Sequence, residues 1–499
     1  MCGEATVSYP MRRLALINVP DLLYSVYISL VIVLIFLALS PQMWHWFIFP
    51  VFISGVIIGT DLIRWLRGKL PLFSPTGIIG IIGYHFFFVS FLLQIYWDHG
   101  MAYVISPLDW RPWLGGMAAL NVVGLLAYKI VRNFTIRKKS NPKKRVWLLA
   151  PERFIVWLWS ALLISLLLQI WVYIRFGGIR GYVLAYETRY TEQGFYGLGW
   201  LFTISESFPL LLTMLYAYYA RRRKWMRKWI SIASFTVIFL LVSFLFGGFR
   251  GSRSTIVWRL FWVAGIIHFW VRPLSRKNII VGLIFLVGFL YFYAFYKDMG
   301  TRFFQTVNRE GLLALLETSP PGHSFEAIII DDLSRVNVQS YELYRLMERD
   351  INYHYGWGRT YLAGLVTFVP HFVWPNRPVG KTKEGTNLLY GEGSYIPGIF
   401  RTSRVFGLAG EAMLNFGIWG VPFAFMFWGW IVGLIDKLIM RLPPNDSRWL
   451  LVPFLVMLGF NALQSDSDNL VFFIFKNGLL PFLVVFWGSR RKFLLREGQ

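Results

Sequence analysis

The sequence predicts an all-α polytopic membrane protein, and three observations lead to that fold class. Of the 499 residues, 56% are hydrophobic and 15% are charged, whereas about a quarter of the residues in a typical soluble domain are charged. Roughly a dozen segments approach the length of about 20 apolar residues that crosses a bilayer as a helix. Strongly basic links alternate with links that carry few basic residues, as expected when Lys and Arg stay on the cytoplasmic side.

We predict about twelve transmembrane helices with both termini in the cytoplasm. This topology puts the basic links on one side, among them 12–13, 221–224 and 490–492. The formal net charge of +24 would point to nucleic acid in a soluble protein, but the positive-inside rule accounts for it here, so we expect no nucleic-acid partner. The predicted spans are 22–40, 44–60, 77–96, 113–131, 153–174, 200–220, 230–246, 255–271, 279–296, 409–436, 449–464 and 470–487.

The chain divides into three regions. Residues 1–296 hold spans one to nine with a small outward loop at 175–199, residues 297–408 form one large extracytoplasmic loop, and residues 409–499 hold the last three spans. Many carriers have paired halves, and this late, one-sided polar region differs from them. The single cysteine, Cys2, excludes an internal disulfide. No Cys or His cluster has metal-ligand spacing, so we expect neither a metal nor another cofactor.

The large loop has two features of its own. An apolar stripe at helical spacing begins near Ile329, and the charges interleaved with it, Asp331 and Glu342 among them, are predicted to line a solvated face. Further along, prolines flank Trp374 and Arg377 and impose an extended path. Such a path could hold a guanidinium over a pocket at the membrane surface. The alternative is an ordinary proline-rich loop anchored by an interfacial tryptophan.

Several arginines are predicted on the outward side, where basic residues are less expected. Arg250 and Arg253 lie in a glycine-rich segment just before the eighth span. Paired guanidinium groups bind phosphate or diphosphate through two parallel hydrogen bonds, and the alternative is an anchor for lipid headgroups. In the early loop, Arg180 and Glu187 stand among Gly, Arg and Tyr residues that suit sugar or phosphate contacts.

Polar residues inside predicted spans are a further set of candidates, because charge is costly in lipid. Glu411 and Asn415 are four positions apart, so they share a face at the outer end of the tenth span. There Glu411 could accept a proton or orient a hydroxyl, or else serve packing alone. The other charges noted in the spans are Glu206, Arg259 and Lys476, for which a structural ion pair is the alternative.

Three short motifs resemble the bacterial oligosaccharide repeat-unit polymerases, the O-antigen polymerase family. They are Ser252-Arg253-Ser254, Trp374-Pro375-Asn376-Arg377-Pro378, and the segment from Gly410-Glu411 to Asn415-Phe416-Gly417. The resemblance implies a GT-C-like glycosyltransferase of the bacterial inner membrane, related to the O-antigen ligases and independent of metal. It implies an active site facing the periplasm or cell exterior. The substrate would be an oligosaccharide on undecaprenyl or another polyprenyl diphosphate, polymerised into a surface polysaccharide or exopolysaccharide.

The chemistry of such a transfer suggests roles for the candidate residues. Breaking the anomeric bond leaves negative charge on a diphosphate, which fixed guanidinium groups stabilise. The acceptor hydroxyl needs a carboxylate or imidazole to orient or deprotonate it. We therefore name Glu411, His371 and Arg253 as catalytic candidates. The candidates for binding the diphosphate or glycan are Arg250, Arg377, Arg180, Glu187, Asn415 and Trp374.

Three other functions remain open from the sequence. A ligase would transfer the finished glycan to a different acceptor. A flippase for lipid-linked oligosaccharides would need a basic cavity through the spans, and the scarcity of intramembrane charge argues against it. The third is a structural or regulatory subunit of an export complex. Besides the bilayer, a chain-length regulator and a flippase are the protein partners we expect for a polymerase.

Overall fold

The computed structural model describes residues 19–101, 104–138, 144–187, 199–250, 253–299, 325–348, 353–369, 373–396 and 404–494. Each predicted span contains a helix, which supports a multi-pass membrane architecture. Three of the helices are apolar but shorter, and Arg276–Met299 coincides with the ninth predicted span. Eight helical stretches are long and apolar enough to cross a membrane: Val19–Leu39, Ile48–Leu66, Pro75–Tyr96, Arg111–Arg137, Pro151–Arg175, Trp200–Arg222, Gly407–Ile439 and Ser467–Trp487.

The helices of the first nine spans are bounded as follows. Short π-helical segments, His85–Val89 and Ile267–Val271, follow α3 and α11. The helices are α1 Val19–Leu39, α2 Ile48–Leu66, α3 Pro75–Tyr84, α4 Ser90–Tyr96, α5 Arg111–Arg137, α6 Pro151–Arg175, α7 Gly178–Glu187, α8 Gly199–Ser205, α9 Phe208–Arg222, α10 Trp229–Leu245, α11 Arg253–Ile266 and α12 Arg276–Met299.

The large loop and the last spans supply the remaining helices. Two more π-helical segments, Ile328–Asp332 and Ile474–Gly478, follow α13 and α20. The helices are α13 Phe325–Ala327, α14 Val336–Met347, α15 Arg359–Leu365, α16 Lys381–Tyr390, α17 Gly407–Phe416, α18 Gly420–Ile439, α19 Val452–Gln464, α20 Ser467–Phe473 and α21 Leu479–Trp487.

A small two-stranded sheet accompanies the helices of the all-α fold. Strand β1, Lys144–Leu149, pairs antiparallel with strand β2, Ser489–Leu494, and Leu149 lies opposite Ser489. From the sequence, both segments are recognised only as basic links outside the predicted spans, with no strand predicted. Pairing satisfies the backbone N–H and C=O groups of two links that would otherwise each depend on water.

Contacts among the basic links support their location on one side of the bundle. Arg67, after α2, forms a 2.8 Å ion pair with Asp21 at the start of α1. Arg276 donates to the carbonyl oxygens of Trp65 and Leu70, at 2.8 and 2.9 Å. The β1–β2 sheet likewise joins a basic link to the C-terminal basic segment. Links that the charge pattern assigns to the cytoplasm thus lie next to one another.

The described part of the large loop packs against the helix bundle. The ring of His85 lies 2.9 Å from the carbonyl oxygen of Ile329, and Ile330 and Val336 join the hydrophobic core formed with α2, α4 and α5. Most of α14 is buried, and Glu342 is fully buried. The prediction that Glu342 lines a solvated face is therefore wrong, because α14 is covered on more than one side.

The predicted tenth span, 409–436, is two helices rather than one. Gly417 has φ +65°, in the left-handed region, and ends α17. A Cβ at Gly420 would lie 2.6 Å from the carbonyl oxygen of Ala412, whereas residues eight apart in a straight helix are separated by about 12 Å. The chain therefore turns back between α17 and α18. With 20 residues, α18 is about 30 Å long and suffices to cross the bilayer, so α17 is an additional helix.

Candidate functional site

Glu411 joins three elements of the candidate site through its carboxylate. It lies on α17 and is 3% exposed. Its Oε1 accepts hydrogen bonds from Thr360 Oγ1 at 2.7 Å and Ser467 Oγ at 2.6 Å, and its Oε2 accepts one from Ser467 N at 2.6 Å. Thr360 belongs to α15 and Ser467 to α20. Both carboxylate oxygens therefore have protein partners, and burial leaves little of the side chain accessible in this state.

Asn415 lies one turn beyond Glu411 on the same face of α17, as the spacing predicts. Its Nδ2 donates to Thr360 Oγ1 at 2.6 Å and to Glu411 O at 2.8 Å. Its Oδ1 accepts from Gly358 N at 2.9 Å. Asn415 thus binds protein groups on both ends of its amide and positions the segment that precedes α15.

Asp466 begins a second set of contacts around α17. Its Oδ1 accepts hydrogen bonds from Phe406 N at 2.9 Å and Gly407 N at 2.7 Å, at the N-terminus of α17. A carboxylate there satisfies N–H groups that have no partner inside the helix and complements the helix dipole. Its Oδ2 is ion-paired with Lys381 of α16. The link before α20 therefore fixes both α16 and α17.

Glu342 is a carboxyl of this region that lacks comparable support from the described residues. It is fully buried on α14, and neither carboxyl oxygen makes a hydrogen bond to a described residue within the usual limits of distance and angle. A Cβ at Gly410 would lie 2.6 Å from Glu342 Oε2. Burial raises the pKa of Glu342 well above its ordinary value, and the nearby carboxylates Asp466 and Glu411 raise it further, while the Leu414 N–H opposes this shift only in part.

The three charges noted inside the spans form one cluster. Lys476 Nζ lies 2.7 Å and Arg259 Nη2 lies 3.2 Å from the same oxygen, Glu206 Oε2. Lys476 also donates to Thr255 Oγ1, in the first turn of α11, at 3.2 Å. We call Glu206, Thr255, Arg259 and Lys476 the cationic cluster, because it contains two cations and one carboxylate. The structural ion pair considered from the sequence is present, extended to three charges.

The arginine-rich segment directly precedes the part of α11 that joins this cluster. Arg250 ends a 3₁₀ turn, Gly248–Arg250, and Arg253 is the first residue of α11; for both, the structure describes the backbone. Thr255 of the cationic cluster is two positions beyond Arg253. The N-terminus of α11 is therefore shared by the predicted phosphate motif and the buried charges.

The early outward loop is a neighbour of this segment. Phe249 packs with Tyr182 of α7 and with Leu201 and Phe202 of α8. Arg180 lies exposed on α7, and Glu187 is its last residue, for which the backbone is described. The fold thus brings together the elements that carry Arg180 and Arg250, although they are distant in sequence.

The proline-rich segment of the large loop is anchored through Arg377. Its Nη1 donates to the carbonyl oxygens of Thr367 at 3.2 Å and Val369 at 2.8 Å, just after α15. Trp374 is 39% exposed. His371 lies outside the described residues. The described hydrogen bonds of Arg377 are to protein backbone, so its guanidinium fixes the path of the loop in this state.

Aromatic contacts place the Arg377 segment beside the cationic cluster. Phe368 stacks on Phe472 with ring centroids 6.0 Å apart and also contacts Phe475 at 4.7 Å. Lys476 Nζ is 5.7 Å from the centroid of the Phe472 ring. Since Ser467, at the other end of α20, binds Glu411, about 14 Å of helix separates the Glu411 contacts from the cationic cluster.

A further buried charge network lies among α2, α3, α5 and α18, and the sequence analysis missed it. Arg132 and Lys129 of α5 lie 2.9 and 3.4 Å from Asp61 Oδ2 of α2, and Thr76 of α3 donates to Asp436 of α18 at 2.5 Å. Intramembrane charge is therefore less scarce than expected. Among the described residues, no hydrogen bond or ion pair joins this network to the cationic cluster.

Most of the missed residues carry a weak signal in the sequence. Asp466 and Ser467 belong to a polar run between two apolar segments, and Lys381 follows the proline-rich motif. Among the described residues, no group of three or more His, Cys, Asp or Glu side chains is arranged to hold a metal ion. Comparison with known proteins found no matching family model, no matching curated protein and no matching solved structure.

Proposed function

We propose that this protein is a membrane glycosyltransferase that polymerises oligosaccharide repeat units carried on polyprenyl diphosphate. In this proposal it crosses a bacterial inner membrane twelve times with both termini in the cytoplasm. The large loop and the cationic cluster then face the periplasm or cell exterior. The resemblance in three short motifs motivates the proposal.

The cationic cluster is the observation that supports it most. Two of the three motifs border this cluster: Arg253 begins α11 next to Thr255, and Arg377 is anchored beside Phe368, which packs on α20. A diphosphate leaving group carries charge that fixed cations in a low-dielectric site stabilise strongly. Lys476 and Arg259 are buried and held by Glu206, so they need little reorganisation to act in this way.

The reaction is a transfer of the growing glycan from one lipid carrier to another repeat unit. The acceptor hydroxyl oxygen forms a bond to the anomeric carbon of the donor glycan, and the bond from that carbon to the phosphate oxygen breaks. The hydroxyl proton passes to a base, and the polyprenyl diphosphate leaves with its charge facing Arg250, Arg253 and the cationic cluster. Tethering of both substrates in the bilayer supplies proximity without tight sugar binding.

We assign different roles to the two base candidates. Both oxygens of Glu411 already accept hydrogen bonds from Thr360 and Ser467, so Glu411 serves as a positioning residue that holds α15, α17 and α20 together. His371 is the base. Replacing His371 with Gln should then lower the rate and remove the step of the general base from the pH profile of the rate, whereas that step should persist in Glu411→Gln.

The decisive assay adds one lipid-linked repeat unit to the purified protein in nanodiscs. A ladder of products, each longer by one unit, is the expected result, because polymerisation extends its own product. A single transfer to a different lipid or protein acceptor would instead identify a ligase. Movement of the lipid-linked substrate across the bilayer without any new bond would identify a flippase.

Two arginine variants test the site itself. Arg253→Ala and Arg377→Ala should each reduce ladder formation by at least about tenfold, in line with the loss of one charge-stabilising group. Arg223→Ala, an exposed arginine of a basic link, is the matched control and should retain activity. Full activity in both Arg253→Ala and Arg377→Ala would show that the site is assigned wrongly.

A further inference from the structure

Trp357 occupies a backbone conformation that disfavours it. Its φ is +46°, and Gly358 follows with φ +87°. Glycine and asparagine adopt this left-handed region easily, whereas a large side chain pays a cost of about 1–2 kcal/mol. Burial does not offset that cost, because Trp357 is 76% exposed. Strain of this kind concentrates at sites where a function requires it.

Hydrogen bonds to the last turn of α17 hold Trp357 in this conformation. Gly356 N donates to Leu414 O at 2.9 Å, and Trp357 N donates to Asn415 O at 3.0 Å. Tyr353 OH also donates to Leu414 O, at 2.9 Å. These bonds satisfy carbonyl groups that the end of a helix leaves open. They use only the backbone of Trp357, so they do not explain the indole ring.

The indole belongs to a row of aromatic side chains at the outer surface. Trp357 lies 6.4 Å from Tyr355 and 6.2 Å from Phe416, with interplanar angles of 84° and 74°. Tyr361 stacks on Phe416 at 6.4 Å with an angle of 21°. We call Tyr355, Trp357, Tyr361 and Phe416 the aromatic platform. Three of the four, all but Tyr361, expose more than a third of their surface.

Polar groups border this platform, unlike a purely lipid-facing patch. Arg359, whose side chain is 54% exposed, lies 3.3 Å from Glu384 of α16, and His354 is exposed. The exposed guanidinium of Arg359 can donate hydrogen bonds to neighbouring hydroxyl groups, and Glu384, whose side chain is only 8% exposed, holds it in place. The C–H faces of a pyranose ring carry partial positive charge and pack on the negative face of an aromatic ring.

The platform is also directly connected to the candidate site. Asn415 accepts from the Trp357 and Gly358 N–H groups and donates to Thr360, which in turn donates to Glu411. A sugar resting on Trp357 would therefore lie a few residues from the groups that organise the site. This inference rests on the proposed function, because it concerns the glycan of the same substrates.

We propose that the aromatic platform binds pyranose rings of the glycan by stacking, and that Arg359, held in place by Glu384, donates hydrogen bonds to the hydroxyl groups of the glycan. The platform holds sugar units away from the anomeric bond, so it acts in glycan affinity rather than in bond cleavage. Glycan binding explains why an exposed tryptophan is found in a left-handed backbone conformation that glycine or asparagine would adopt at lower cost.

Binding of a lipid-free glycan tests the platform apart from catalysis. The probe is the oligosaccharide mixture released by mild acid from the surface polysaccharide of the native host, titrated calorimetrically onto full-length protein in nanodiscs. Trp357→Asn suits the left-handed backbone, so it should keep or raise the melting temperature while weakening binding at least about tenfold. Trp357→Tyr should restore part of the affinity.

The control is Trp419→Ala, at the turn before α18, where the tryptophan is 77% exposed. This variant should bind the oligosaccharides like the wild type. Equal affinity of the wild type and Trp357→Asn for the oligosaccharides would overturn the proposal that the aromatic platform binds glycan. Equal losses of affinity in Trp357→Asn and Trp419→Ala would overturn it as well.

A membrane anchor is the competing explanation, since tryptophan is enriched at lipid interfaces. With Cys2→Ser as background, a spin label at Trp357→Cys in phosphatidylethanolamine–phosphatidylglycerol nanodiscs reports its surroundings. Stronger relaxation by a water-soluble nickel chelate than by oxygen is expected. Dominant relaxation by oxygen would place Trp357 in lipid and overturn the proposal.

The two proposals fail in different ways. If the wild type forms no ladder but binds oligosaccharide in a manner that depends on Trp357, the polymerase proposal is wrong and the platform stands. If the wild type forms a ladder and Trp357→Asn binds and elongates glycan normally, the platform alone is wrong.

Discussion

The burial of Glu342 shows that α14 of the large loop is packed inside the protein rather than exposed to solvent. It is fully buried, makes no hydrogen bond to the described residues within the usual limits, and has the carboxylates of Glu411 and Asp466 nearby. An ionised carboxylate in such a place is costly. Glu342 therefore holds a proton in the folded protein over a pH range in which the unfolded chain releases it.

The first prediction concerns Glu342→Gln. Because the folded-state pKa of Glu342 is raised, its protonated form stabilises the fold at low pH, and that stability is lost as the pH rises toward the folded pKa. The wild type should lose up to about 1.4 kcal/mol per pH unit in this window, and the variant should not. Melting temperatures from pH 4 to 9 should therefore separate, with the variant higher at alkaline pH.

Glu348→Gln is the control for this experiment. Glu348 accepts hydrogen bonds from Tyr344 and Arg345 on the surface of α14, so its replacement should not stabilise the protein as the pH rises. A constant difference between Glu342→Gln and the wild type at every pH would contradict the prediction.

At the residue scale, the sequence predicted the positions that depend on helical spacing and missed those that depend on tertiary contact. The four-residue interval places Glu411 and Asn415 on one face, and the structure confirms it. The partners of Glu411, Thr360 and Ser467, are ordinary hydroxyl residues distant in sequence, and no local pattern marks them. Glu342 was misjudged because a charge at helical spacing is usually solvated.

At the scale of the element, the turn between α17 and α18 determines where Glu411 lies. Hydropathy cannot detect this turn, because both helices are apolar and a window averages across them. Gly417 and Gly420 are the local signal. Gly417 supplies a left-handed backbone conformation, and Gly420 permits close approach to Ala412.

The second prediction follows for Gly417→Ala. The new Cβ would lie 3.0 Å from Tyr355 OH, and the backbone conformation is strained for any residue with a side chain. We expect a loss of about 1–3 kcal/mol of stability, with faster hydrogen exchange in α17 and α15. Thermal unfolding and exchange mass spectrometry of the purified protein would measure both effects.

Gly282→Ala provides the matched control. Gly282 lies within α12, and a Cβ there meets no atom within 4 Å. Because alanine favours helix over glycine, this variant should be neutral or slightly more stable. A similar loss in both variants would mean that the turn at Gly417 has no special role.

For the whole molecule, the charge pattern predicted the multi-pass architecture well, because bilayer thickness and the positive-inside rule act on composition rather than on detailed packing. The basic links do contact one another, as in the Arg67–Asp21 and Arg276–Leu70 contacts. The arrangement of the large loop was less predictable, since its helices are held by buried polar contacts between distant segments.

The third prediction tests this topology. With Cys2→Ser as background, Lys383→Cys in the large loop should react with a membrane-impermeant maleimide on intact cells. Lys224→Cys in a basic link should react only after permeabilisation. Both lysines are exposed, so the pair differs in side rather than in access to solvent. Labelling of Lys224→Cys on intact cells would show that the proposed orientation in the membrane is wrong.

The β1–β2 sheet has a consequence for the order in which the chain is assembled. Leu149 and Ser489 are paired although they are 340 positions apart. At about 5–20 residues per second, β1 leaves the ribosome roughly 20–70 seconds before its partner exists. Every helix from α6 to α21 is thus made while β1 has an open edge, and closure of this sheet is among the last events of biogenesis.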